Sequence, residues 1–167
     1  GAVYVRYFGS NISFGGETVF ANNTARDDGG AIFLHYYSGG NFTGNVSFDG
    51  NHANDSGGAI FLDQGTIVHV DGMTSFVGNE ATRGGVVYIF DDSKALFGGE
   101  TVFANNTAEF GGAVYIDEGS NASFVAGTTV FANNTAEIGG AIYSSDSALF
   151  VETGTRFMFN VASTGSG

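Results

Sequence analysis

The chain has 167 residues, 43% of them hydrophobic and 14% aromatic, enough for one domain with a continuous core and too apolar for disorder. Its 17 acidic against five basic residues give a formal net charge of −12, a balance that repels nucleic acid and anionic membrane surfaces. No run approaches the roughly 20 apolar residues that span a bilayer, and with no cysteine there is no disulfide or thiolate metal site.

In chain order, the first element is the apolar stretch after Gly1, with Val3 and Val5 alternating against Tyr4 and Arg6, which reads as a strand. A second short strand follows at Asn11-Ile12-Ser13-Phe14 and a third at Thr18-Val19-Phe20. The cycle then closes on Asn-Asn-Thr-Ala and a double glycine, and begins again. Later copies give Ala113-Val114-Tyr115-Ile116 for the first strand, Lys94-Ala95-Leu96-Phe97 for the second and Thr101-Val102-Phe103 for the third. Proline is absent, glycines number 28, and β-branched and aromatic residues fill the space between glycines.

The cycle is a strict repeat. Phe-x-x-Asn-x-Ala starts at Phe20, Phe48, Phe76, Phe103, Phe131 and Phe157, with Asn23, Asn51, Asn79, Asn106, Asn134 and Asn160 in its fourth place. Gly-Gly-[Ala/Val]-[Ile/Val] follows the first five copies at Gly29, Gly57, Gly84, Gly111 and Gly139. A period near 28 residues built of short β segments predicts a right-handed parallel β-helix over 1–167, a single domain of about six coils with three strands each. Strands one coil apart then pair at about 4.8 Å and equivalent residues stack into columns.

Alternation assigns the faces. The pairs Val3/Val5, Ile32/Leu34, Ile60/Leu62, Val87/Ile89, Val114/Ile116 and Ile142/Ser144 are expected inside, and so are the six phenylalanines, each contributing about 2 kcal/mol on burial. Between them, Tyr4, Phe33, Phe61, Tyr88, Tyr115 and Tyr143 form an aromatic column on the expected exterior, either a contact stripe or a stacking ladder.

The doubled asparagine divides its roles. Asn23, Asn51, Asn79, Asn106, Asn134 and Asn160 are expected to pass hydrogen bonds from coil to coil inside a turn, each with alanine two places on. Asn22, Asn105 and Asn133 point outward and complete Asn-x-Ser/Thr, as do Asn11, Asn41, Asn45, Asn54 and Asn121. Composition alone predicts about two such sequons, so eight indicate an N-glycosylated, secreted or cell-surface, extracellular protein.

The pairing of Gly-Gly-Ala-Ile/Val with Phe-x-x-Asn, at Gly29-Gly30-Ala31-Ile32, Gly57-Gly58-Ala59-Ile60, Gly111-Gly112-Ala113-Val114 and Gly139-Gly140-Ala141-Ile142, resembles the polymorphic outer-membrane protein (Pmp) repeats over nearly the whole chain. The resemblance implies a β-helical surface adhesin and carries over fold and a display or adhesion role, with no binding residue. Absence of cysteine and a sequon density suited to a eukaryotic secretory route depart from that family.

Catalytic chemistry finds little support. A polysaccharide lyase or hydrolase needs carboxylates clustered on one face, and Asp27-Asp28 and Asp91-Asp92 fall in different turns. Arg6, His35 and Asp63 share a column that reads as a cross-strand pairing, and His52 and His69 show no evident partner. No cofactor and no metal site is expected, since the Gly-Gly-x-Gly-x-Asp calcium repeat is missing.

The expected function is therefore a structural one: a rigid extracellular rod, the shaft or subunit of a fibre, appendage or adhesin. The second reading is an adhesin module binding glycan or host surface through the aromatic column or the turn from His35 to Asn41, and an enzyme acting on polysaccharide comes third. Second-place glycines at Gly1, Gly30, Gly58, Gly85, Gly112 and Gly140 step on to Gly167, a whole number of coils. Self-association into a homopolymer, lateral or end to end, follows as an expectation, with an axial repeat of about 29 Å for stacked units.

Overall fold

Alternation with period two and a glycine at each corner give a chain that can only bury its apolar face by lying on its own next coil. A computed structural model describes residues 1–125 and 127–164, and within these it shows a parallel β-solenoid of about six turns, with no helix among the described residues. The expected seventh glycine position, Gly167, lies outside the described residues. Among the described residues no helix is long and apolar enough to cross a membrane.

Three six-stranded sheets run along the axis, and every strand pair within them is parallel. The first sheet stacks Val3–Arg6, Ile32–His35, Ile60–Asp63, Val87–Ile89, Val114–Ile116 and Ile142–Ser144. The second stacks Asn11–Phe14, Gly39–Phe42, Ile67–Val70, Lys94–Phe97, Asn121–Phe124 and Ala148–Val151. The third stacks Glu17–Ala21, Asn45–Asp49, Thr74–Val77, Thr101–Ala104, Thr129–Ala132 and Arg156–Met158. Register follows the repeat residue for residue: Val87 pairs with Val114 and Phe76 with Phe103.

The core is a set of stacks. Phe20, Phe48, Phe76, Phe103, Phe131 and Phe157 lie ring on ring at centroid distances of 4.6 to 4.9 Å, with adjacent planes within 15° of parallel. A second file from the facing sheet meets it edge-on, Phe97 against Phe103 at 73° and Phe124 against Phe131 at 82°. This is the quadrupole-favoured arrangement for rings that touch across a core. All expected inward positions of the four central coils' first strands are buried. Ser144 and Phe157, also expected inside, are exposed in the last described coil, where no further coil covers them.

Each corner has its own column. Immediately before the second-sheet strands stand Ser10, Ser38, Thr66, Ser93, Ser120 and Ser147, and the Thr66 amide donates to Ser93 Oγ at 3.1 Å as the Ser93 amide does to Ser120 Oγ at 3.2 Å. This hydroxyl file was overlooked in the sequence, although an unbroken run of Ser and Thr at one repeat position announces it. Between second and third sheets, Gly44, Gly72, Gly99 and Gly127 lie so close that a Cβ on each would strike the carbonyl oxygen of the glycine one coil earlier.

The double glycine combines two requirements. The first member, as at Gly111 (φ 64°), adopts a left-handed conformation that L side chains rarely take. The second, as at Gly112, has ordinary dihedrals, yet a Cβ there would run into the Gly140 carbonyl of the next coil. Neither can be anything larger without moving backbone.

Candidate functional site

The asparagine ladder is built at the corner after the third sheet. The Asn51 amide and its Nδ2 both donate to Asn79 Oδ1, at 2.9 and 3.0 Å, and the same pair of bonds links Asn79 to Asn106 and Asn106 to Asn134. Asn23 enters the file at one end and Asn160 at the other. From Asn51 onward each Nδ2 also reaches back to the carbonyl of the phenylalanine one coil earlier, as Asn106 does to Phe76 at 3.1 Å. The four central asparagines are fully enclosed, so these bonds replace water that cannot enter. The alanine two places on is enclosed with them, Ala25, Ala53 and Ala81 packing into a small cluster of their own.

The asparagine before the ladder has a second reason to be there. Asn22, Asn105 and Asn133 sit at φ 54°, 57° and 53°, and the same column holds Gly50 at 61° and Gly78 at 64°. Asparagine tolerates this left-handed turn better than other side chains. The turn therefore favours asparagine or glycine at the first position beside any acceptor role, although in the last coil Phe159 takes the same conformation at φ 55°. All three side chains nevertheless face solvent, as do Asn11, Asn45 and Asn54, while Asn41 and Asn121 are half-buried.

The aromatic column lies on the outer side of the first sheet, but it is not an open stripe. Phe61 and Tyr88 are buried, and Phe33, Tyr115 and Tyr143 are half-covered, leaving Tyr4 as the exposed member. At two double glycines the residue just before them supplies cover: the Arg83 guanidinium lies 5.4 Å over Tyr88, and Phe110 meets both Tyr115 and Tyr143. Tyr88 and Tyr115 stack at 4.7 Å and 5°, and both hydroxyls point at Asp117. Burial, reinforced by the Asp117 charge, raises both phenols, that of Tyr115 to about 12. The expectation of a continuous exterior stripe fails because its middle is roofed.

Charged residues on the surface pair locally. Arg83 Nη2 donates to Asp55 Oδ2 at 2.6 Å, a contact that spans 28 residues of sequence and one coil of space. Asp28, half-buried beside Asp55, has its carboxyl raised by burial and by that neighbouring charge, so it departs from the solvated acid its Asp27-Asp28 setting suggests. Asp91 and Asp92 form a left-handed turn of their own. His35 Nε2 stands 3.3 Å from Asp63 Oδ2, and both side chains are largely covered. Arg6 is the register partner of His35 in that column, as expected, and its guanidinium lies over the Tyr7 ring. His52 has a partner after all, Asn54 Oδ1 at 3.1 Å. No group of three or more His, Cys, Asp and Glu residues that could hold a metal ion occurs among the described residues.

Four segments of this scaffold, residues 17–34, 41–63, 100–117 and 128–145, match the family model of the Chlamydia polymorphic membrane protein (Pmp) repeat. In these segments, 77 of the 167 residues, the chain is similar to the Pmp repeat, and the fold that carries them is a β-solenoid. Each matched segment holds one Phe-x-x-Asn and the double glycine after it, which places the Pmp motif on the third sheet, the asparagine corner and the start of the next coil. Of the two unmatched copies, at Phe76 and Phe157, the first carries Gly-Gly-Val-Val in place of Gly-Gly-Ala-Ile/Val and folds in the same register. The motif is thus a description of one corner of the coil. No curated protein and no solved structure matches the chain.

Proposed function

We propose that this Pmp-like chain is a rigid, N-glycosylated rod displayed outside the cell, the shaft of a surface fibre, appendage or adhesin. The observation that carries this reading is the continuity of its columns: phenylalanine, asparagine and hydroxyl files run from coil to coil, so successive coils are locked in register. Regularity of this kind suits bearing and display better than catalysis, which needs a local departure from the repeat. The matching family is named for a membrane protein, which supports a surface location. Every acceptor asparagine lies outside the ladder and none is fully buried, as glycan attachment requires. The strand edges of the outermost described coils offer a place for further coils, in the same chain or a second copy, to add in the same register.

A second reading, adhesion, is favoured by exposed aromatic side chains gathered at the corner between the first and second sheets in the first two coils, Tyr7, Phe8, Tyr36 and Tyr37.

Intact glycopeptide analysis and electron imaging of the native material test the first reading together. Sugar is expected on Asn22, Asn105 and Asn133 and on no ladder asparagine, and the particles are expected to be straight rods. Bare acceptors would remove the glycan claim, and compact isolated particles would remove the rod.

A further inference from the structure

The corner between the first and second sheets changes character along the rod. In the later coils it is Gln64-Gly65, Asp91-Asp92, Glu118-Gly119 and Ser145-Asp146, whereas the first two coils carry Tyr7-Phe8 and Tyr36-Tyr37. Tyr36 and Tyr37 both take positive φ, 58° and 52°, a conformation costing about 1 to 2 kcal/mol for a residue of this kind. Bulky aromatics held there in succession, half exposed, are not explained by packing.

The rings are held in place. Tyr37 packs against Tyr36 at 5.5 Å and 79°, and against Phe8 at 6.1 Å. Its face lies on Gly65 of the next coil, where a Cβ would stand 2.5 Å from the ring. Two shallow troughs flank it. One, of about 420 Å³, lies between Phe8, Tyr37, Asn11, Asn41, Ile67 and His69, within the range of about 300 to 1,000 Å³ usual for small-ligand pockets. Its floor exists because Gly39 leaves a gap in an outward column that otherwise carries side chains, and Asn11 Oδ1 leans over that gap while Nδ2 donates to the Gly9 carbonyl. The other trough, of about 220 Å³, runs between Tyr36, Tyr37, Gln64, Asp91 and Asp92.

We infer that this corner binds an uncharged saccharide, an inference that deepens the adhesion reading and rests on it. A sugar ring offers an apolar C–H face and a rim of hydroxyls; the faces of Tyr37 and Phe8 meet the first, and planar amides and carboxylates meet the second. Rings divided by polar troughs fit such a ligand better than a protein partner, which calls for a continuous apolar patch. The carboxylates of Asp63, Asp91 and Asp92 around the site, in a chain of net charge −12, repel anionic sugars. Asn11 and Asn41 both line the larger trough and both carry the acceptor sequence, so the inference excepts these two from the proposed glycan array: sugar on either would fill the trough.

The test uses the chain produced without N-glycans, titrated with neutral tetrasaccharides (cello-, malto-, manno- and N-acetylchito-oligomers) and with sialyllactose, followed by backbone NMR shifts. Binding of at least one neutral probe is expected, with shifts confined to residues 8 to 11, 36 to 41 and 64 to 69. Tyr37→Ala should weaken it at least tenfold, and Asn41→Ala, at a half-buried surface amide that leaves the core intact, should weaken it several-fold. Preference for sialyllactose, shifts elsewhere on the rod, or full glycan occupancy of Asn11 or Asn41 in native protein would overturn the inference. If no probe binds but Tyr37→Ala abolishes attachment to cells, the saccharide is wrong and adhesion stands. If neither is seen, both fall.

Discussion

Asn106→Ala is expected to lower the denaturation midpoint sharply, and Asn105→Ala to lower it much less, in protein made without glycans. The first removes the acceptor of the Asn79 amide and the donor to the Phe76 carbonyl, both enclosed, at about 1 to 3 kcal/mol for each group left unpaired. The second removes an exposed side chain and costs only the preference of asparagine over alanine for a left-handed turn, about 1 kcal/mol. Asn105→Gly should then be nearly neutral, because Gly50 and Gly78 already occupy that column. Equal midpoints for the two alanine variants would mean that the ladder contributes nothing.

Gly112→Ala is expected to be as damaging, for a different reason. Its dihedrals suit any residue, so local propensity predicts a small gain from alanine. The added methyl, however, meets the Gly140 carbonyl oxygen and comes within 3.0 Å of Thr135 backbone, atoms that hold the next coil in register. Overpacking against fixed backbone costs at or beyond the usual range of about 1 to 3 kcal/mol. Gly78→Asn is the comparison: nothing lies within 4 Å of that Cβ, and asparagine serves the same position in three other coils. Midpoints from chemical denaturation separate the two. A Gly112→Ala protein as stable as Gly78→Asn would show that the coils are not in contact at the double glycine.

Much of the fold was legible because stacking forces one residue type down a column: a phenylalanine that recurs six times with asparagine three places on can be read without coordinates. What escaped depended on contacts between columns that are distant within one repeat. The roof over Tyr88 comes from Arg83, a residue that belongs to the preceding turn and varies among Asp28, Ser56, Phe110 and Ile138 at its position. Nothing in that mixed column announces a cover. The left-handed backbone beneath Asn22, Asn105 and Asn133 is hinted at by Gly50 and Gly78, but the sequon at the same three residues gives asparagine a second explanation that hides it. The aromatic corner at Tyr36-Tyr37 was visible as an irregular turn, while the trough depends on Gly39 and Gly65 from adjacent coils and needs three dimensions to be seen.

The central claim is that one repeat of sequence equals one coil of space, and the absence of native cysteine allows it to be measured directly. Val19, Ser47, Ser75, Val102 and Val130 are register partners in one outward file of the third sheet. With one nitroxide at Val19 and a second placed in turn at Ser75, Val102 and Val130, pulsed and continuous-wave electron spin resonance report the separations. A solenoid predicts distances that grow in equal steps of about 4.8 Å per coil. Separations that do not order with coil number would contradict the fold on which every other statement here depends.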